Sequence, residues 1–192
     1  MRRDHDRPAR GQAIVEYAVI VPFLMLLLLG IIEFGFAFSH NITLEYATRE
    51  GARTGAALNN GTDAFDCKDV DDQIIAAVQR VLTASGSQID LTKVAQIRIY
   101  EADVNGQEGS HAEAYVLGTG DTVDGVHLKF KKSSGNWDAC SRKDDGFGKT
   151  DSLGVSMTYD YAYITPLGNL LALSGKPILH MSDRTVMALN PD

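Results

Sequence analysis

Residues 11–53 read GQAIVEYAVIVPFLMLLLLGIIEFGFAFSHNITLEYATREGAR, and the fold turns on this stretch. From Ala18 to Ile32 every residue is apolar or glycine, apart from the uncharged Pro22; extension to Phe38 adds one charge, Glu33. A helix needs roughly 20 apolar residues to cross the hydrocarbon of a bilayer, and Ile14 to Phe38 supplies them. The preceding residues, MRRDHDRPARG, carry Arg2, Arg3, Arg7 and Arg10 against Asp4 and Asp6, and Pro8 and Gly11 disfavour a helix there. A basic flank before the span and none soon after it places the N-terminus in the cytoplasm and the remainder outside.

Two ordinary readings compete for such a block: a simple signal anchor, and a secretory signal peptide cleaved near Ala37, since Gly35 and Ala37 have the small-residue spacing of such a site. Neither needs Glu16. A carboxylate in an apolar run costs roughly 2.5–3.5 kcal/mol at the centre of a span and less near its end, so it marks function by default.

Outward from the span, Ile31, Phe34, Phe38, Ile42 and Tyr46 recur at helical spacing, so the helix continues to about Leu58. Ala47, Gly51 and Gly55 follow every fourth residue, a small-residue ridge that lets another backbone approach closely. That backbone belongs either to a neighbouring subunit or to the chain's own domain. Asn59-Asn60-Gly61 is a helix stop.

Residues 59–192 read as a polar globular domain. Val70 to Leu82 predicts a helix, opened by Asp71 and Asp72, with Ile74, Ile75, Val78 and Leu82 on its apolar face. Val94 to Tyr100 alternates as a strand, with Ala95, Ile97 and Ile99 on one side. Val126 to Phe130 predicts a second strand with Val126, Leu128 and Phe130 inward. Leu153 to Tyr163 predicts a third, with Leu153, Val155, Met157, Tyr159, Tyr161 and Tyr163 on one face, and Thr185 to Leu189 an edge strand. The Gly- and Asp-rich tracts 101–125 and 131–151 read as long loops, and Leu167 to Leu173 as a short helix. The class is α+β: a long N-terminal helix, membrane-spanning in its first half, then a small antiparallel sheet.

Recognisable chemistry is sparse. A net charge of −7 with no Lys/Arg cluster beyond the N-terminus argues against nucleic acid as partner. Gly146-Phe147-Gly148-Lys149-Thr150 falls short of a phosphate-binding loop, because position 143 is Lys143 and no strand precedes it. Asp66, Asp69, Asp71 and Asp72, and again Asp144, Asp145 and Asp151, read as solvated loop charge, with weak calcium binding the alternative. The histidines, His5, His40, His111, His127 and His180, lack ligand spacing, and no G-x-S-x-G nucleophile motif occurs. No enzyme activity, cofactor or metal is expected. Cys67 and Cys140 are not in a C-x-x-C pair; on export they would form one disulfide, contributing roughly 2–5 kcal/mol, and otherwise stay as buried thiols.

Gly11-Gln12-Ala13-Ile14-Val15-Glu16-Tyr17 resembles the type IV prepilin processing motif in its Flp/Tad form. The wider segment 11–53 resembles the TadE-like family through Gly11, Glu16, Ala18, Pro22, Gly30, Glu33, Phe34, Gly35, Ala47 and Arg49-Glu50-Gly51-Ala52-Arg53. The resemblance implies three parts: a leader 1–11 removed by a prepilin peptidase between Gly11 and Gln12, a helix 12–58, and an exported α+β domain 59–192. It implies a minor pseudopilin of a Tad-type pilus or type II-like secretion system, acting in pilus assembly and adhesion. The place is the bacterial inner membrane, single-pass, with the C-terminal domain periplasmic or extracellular. The partners are other pilin-like subunits and the platform proteins of the pilus. Tyr17 completes the processing site. Glu16, one turn from the new N-terminus, either registers subunits by offsetting an ammonium or serves only peptidase recognition. Pro22 implies a kink that eases extraction from the bilayer. The alternatives are an anchored or secreted surface-binding domain outside any pilus, contacting its target through loops 101–125 and 131–151 with Trp137 and Lys131-Lys132, and a hydrolase released near Ala37.

Overall fold

One helix, α1, runs from Arg10 to Leu58 without interruption, including Pro22. It ends where the sequence places the stop. Asn59 takes a left-handed conformation (φ 52°), its N–H donating to the Gly55 carbonyl, and the Gly61 N–H returns to Leu58. The computed structural model describes residues 10–61, 66–144, 150–166, 168 and 178–189, with only the backbone at 10 and 11. The leader, the Gly146–Lys149 tract and the Leu167–Leu173 stretch (Gly168 aside) lie outside the described residues. The chain forms two units, one of Met1–Ala37 with Ala162–Pro177 and one of Phe38–Tyr161 with Ile178–Asp192.

In the second unit, α2 (Val70–Leu82) spans the expected residues, and Ile74, Ile75, Val78 and Leu82 are all buried. The strands are β1 (Val94–Ala102), β2 (Glu108–Leu117), β3 (Thr122–Val123), β4 (Val126–His127), β5 (Phe130–Gly135), β6 (Ser152–Ala162) and β7 (Ile178–Ala188). Five form one sheet in the order β5-β2-β1-β6-β7, and β3 pairs with β4 alone. The pairs β1–β2, β1–β6 and β2–β5 are antiparallel. The expected α+β plan therefore holds: a long apolar helix followed by a small antiparallel sheet.

The core lies between the sheet, α2 and the second half of α1. Leu153, Val155, Met157, Tyr159 and Tyr161 on β6, with Ile97 and Ile99 on β1, are buried in it together with Leu44, Ala47 and Ala52. Tyr163, expected on the same face, lies one residue beyond the end of β6 and is half-buried. Tyr100 is buried too, on the opposite face of the sheet from Ile97 and Ile99, where it pairs with Gly154 of β6. Its ring covers Gly154 of β6, where a Cβ would fall 2.2 Å from it, so only glycine fits opposite this tyrosine.

Four expectations need correction. The tract 101–125 is not a loop: it contains β2, a strand paired on both sides. Its Gly, Ser and Ala residues have little strand propensity, and pairing with β1 and β5 overrides it. Residues 131–135 likewise extend β5. Val126–Phe130 is not one strand. Asp124 and Gly125 both have positive φ (48° and 78°), the turn that folds Val126-His127 back on Thr122-Val123 and leaves Val126 exposed. Leu128 and Phe130 are buried as expected, with both ends of the Gln79 amide on α2 holding the segment: Nε2 donates to the His127 carbonyl (3.0 Å) and Oε1 accepts from the Lys129 N–H (2.7 Å). The edge strand is longer than Thr185–Leu189, beginning at Ile178.

Candidate functional site: the N-terminal helix and the cluster at the start of α2

The first half of α1 presents its apolar side chains outward. Ile14, Val15, Val19, Ile20, Phe23, Leu24, Leu27 and Leu28 are exposed, Phe23 to 72%. In a water-soluble helix an apolar stripe of this size would be covered by its own domain. α1 is the one described helix long and apolar enough to cross a membrane. At its start Gln12 Nε2 donates to Glu16 Oε1 (3.1 Å), so the two residues share a face one turn apart. Tyr17 beside them is exposed. Gly11 is in the helix as backbone, and Pro22 lacks the N–H that would bond the Ala18 carbonyl.

Glu33 is the one charge between Ala18 and Phe38. It is 4% exposed within the apolar run. Its two carboxylate oxygens accept from successive backbone N–H groups, Oε1 from Ile164 (3.0 Å) and Oε2 from Thr165 (2.7 Å). These donors lie two and three residues beyond the end of β6, in the same unit as Glu33. A carboxylate holding two backbone donors is far less costly in an apolar setting than an unbonded one.

The ridge of Ala47, Gly51 and Gly55 faces the chain's own domain. A Cβ at Gly51 would lie 2.6 Å from Val78 on α2, and one at Gly55 2.9 Å from both Ile74 and Leu153. The small side chains thus let α1 lie close to α2 and β6. Beside the ridge, the buried Thr48 hydroxyl contacts Asp183 and Thr185 of β7, and the buried His40 ring meets Tyr161 edge-on (centroids 5.0 Å). On the other side of α1, Ile42, Thr43, Tyr46 and Glu50 form with Ala77, Arg80 and Val81 of α2, and Ala84 just beyond its end, a groove of about 620 Å³.

The start of α2 carries the domain's polar centre. Cys67 and Cys140 are joined by a disulfide across 73 residues, a cross-link worth about 4 kcal/mol on the chain-entropy estimate. Four residues on from Cys67, Asp71 binds the guanidinium of Arg142, which follows Cys140 by two. The Arg142 side chain is fully buried, 4.5 Å from the centroid of the buried Trp137 ring; its Nε and Nη1 have no hydrogen-bond partner among the described residues. Glu113 of β2, also buried, accepts from Lys132 Nζ (2.5 Å) and from the Tyr115 hydroxyl (3.3 Å). Burial pushes the Asp71 carboxyl up to about 7; the Arg142 charge opposes the rise and the Glu113 charge adds to it. Burial likewise raises Asp72 and the Tyr115 hydroxyl. Asp71 is therefore not solvated loop charge as expected, because α2 buries it against Arg142. Trp137 and Lys132, expected on a binding loop, are a buried ring and the ion-pair partner of Glu113.

Among the described residues, the grouping with metal-ligand spacing is Asp66, Cys67 and Cys140. Both sulfurs are committed to the disulfide, so this donor set does not fit a metal. His111 pairs with Glu101, and the exposed His180 with Asp160.

No curated protein and no solved structure matches the chain. The family model described as TadE-like protein matches residues 11–53, the stretch that runs from the Glu16 turn through Glu33 to the Gly51 ridge. The likeness covers residues 11–53 of the 192 and makes this segment, rather than the whole chain, TadE-like.

Proposed function

We propose that this chain is a minor pseudopilin-type subunit of a Tad pilus or related secretion system. The observation that carries the reading is the exposed apolar half of α1, which opens on Gly11-x4-Glu16-Tyr17 within the TadE-like segment. A prepilin peptidase cuts between Gly11 and Gln12, and the leader with its four arginines leaves while the helix stays in the inner membrane. The N-terminus lies in the cytoplasm by the positive-inside rule. The domain lies outside, where an oxidising compartment favours the Cys67–Cys140 disulfide.

Assembly uses the helix twice. Glu16, already within reach of residue 12, offsets the ammonium created by cleavage, on its own subunit or a neighbour, and so registers subunits. Pro22 loosens the span where the subunit leaves the bilayer. The role is structural, with pilin-like subunits and platform proteins as partners, and it includes adhesion only through surfaces the assembled domain presents. The polar centre around Asp71 is built as an internal brace, which removes Trp137 and Lys132 from an adhesive loop and weakens the surface-binding alternative.

The test is the mature N-terminus, read by mass spectrometry on protein taken from membranes. A start at Gln12 is expected. A start near Phe38 would discard α1's first half as a signal peptide and end the pseudopilin reading.

A further inference from the structure

Glu16 and Glu33 bracket the charge-free residues 17–32. At 1.5 Å per residue they stand about 26 Å apart along the helix, close to the roughly 30 Å hydrocarbon thickness of a bilayer. A span that starts with Glu16 at the inner boundary therefore brings Glu33 to the outer one. This depth assignment rests on the membrane-spanning reading of α1.

Glu33 fixes the depth of a second piece of chain. Its carboxylate holds the backbone N–H groups of Ile164 and Thr165, so those residues lie at the level of Glu33, within a hydrogen bond of it. Ile164 is 57% exposed, as are Ile31 (62%) and Phe34 (79%) on the adjoining turns of α1. Tyr163 precedes Ile164, and tyrosine favours the boundary between headgroups and hydrocarbon. The chain from 161 to 175 has no charged residue, with Asp160 before it and Lys176 after. An aqueous loop of that length ordinarily carries charge; this one lacks the groups that would resist a lipid surface.

We infer that the β6–β7 connection at Tyr163–Pro166 is a second membrane contact, seated in the outer lipid interface beside α1 and clamped there by Glu33. The partner is the lipid surface itself. Glu33 is thus a positioning residue. By satisfying two backbone donors that would otherwise face lipid, it makes the contact possible, and in return those donors make a carboxylate tolerable at the edge of the span.

Tryptophan placed at the contact reads its depth. The full chain with Ile164→Trp is reconstituted in nanodiscs of phosphatidylcholine and phosphatidylglycerol, with and without 6,7-dibromo acyl chains, and compared with Leu28→Trp and the unmodified chain. The native Trp137, the one tryptophan of the sequence and buried, supplies the baseline. Retention of the Cys67–Cys140 disulfide on non-reducing gels confirms that each variant folds. Expected is bromine quenching of Ile164→Trp matching that of Leu28→Trp, lost when Glu33→Ala is added. If Leu28→Trp is quenched and Ile164→Trp stays at the Trp137 baseline, the second contact is wrong and the anchor stands. If neither is quenched, the membrane span fails and takes the inference with it. Quenching at 164 that survives Glu33→Ala would overturn the clamp.

Discussion

Replacing Gly51 with alanine asks which surface the small-residue ridge of α1 serves. A Cβ there would stand 2.6 Å from Val78 Cγ2, with Val155 Cγ1 at 3.4 Å and Ile74 Cγ2 at 3.6 Å. Carbon atoms in contact sit about 3.5–4 Å apart, so a shift of about 1 Å is needed. Val78 cannot supply it cheaply. It is fully buried, and a β-branched side chain in a helix has one strongly preferred rotamer. The shift must come from the spacing of α1 and α2, an overpacking cost of about 1–3 kcal/mol. Alanine's better helix propensity returns about 1 kcal/mol. The expected net loss is therefore up to about 2 kcal/mol against the wild type, and about 1–3 kcal/mol against a glycine-to-alanine change that gains the same propensity without the clash, read as a lower denaturation midpoint for the full chain in nanodiscs, followed by Trp137 emission. Gly30→Ala is the control: nothing lies within 4 Å of its Cβ, and no loss is expected. Adding Val78→Ala to Gly51→Ala should cost less than the two single losses summed, since the clash is gone. A Gly51→Ala chain as stable as Gly30→Ala would refute this packing and give the ridge back to a neighbouring subunit.

Two further outcomes follow from the carboxylates. Asp71 titrates near 7 in the folded chain against about 3.8 unfolded, so the folded state holds the extra proton between those values. Stability should fall as pH rises from about 4 through 7, by at most roughly 4 kcal/mol, and Asp71→Asn should flatten that slope in unfolding titrations. Glu16→Ala should still yield a chain starting at Gln12 but fail to co-purify with pilin-like subunits in pull-downs; normal co-purification would refute the registration role, and loss of the Gln12 start would assign Glu16 to peptidase recognition.

The sequence exposed these elements unequally, for physical reasons. A helix reports itself through short-range periodicity and local stops, so α1 and α2 were legible to within a residue or two. So was β6, whose alternation faces a core on one side. β2 was not, because a strand of Glu, Gly, Ser and Ala owes its conformation to β1 and β5, distant in sequence and invisible to local propensity. The ridge shows the same limit in another form. Spacing of four points to a close approach along Ala47, Gly51 and Gly55 without naming its partner, and the fold supplies the side chains of Val78, Ile74 and Leu153 against Gly51 and Gly55.

The candidate site divides along the same line. Glu16 has its partner one turn away at Gln12, so its placement is a local matter and could be read directly. Asp71 hides its role for the opposite reason: an aspartate beside three others looks solvated until Arg142, 71 residues on, is brought against it. Glu33 combines both cases. The cost of a carboxylate in an apolar run is evident from composition alone, yet what offsets it lies 131 and 132 residues away, in backbone groups with no side-chain signature. An unexplained charge in an apolar helix is therefore best read as a demand for donors elsewhere in the chain, and here the fold meets that demand with the segment that leaves β6.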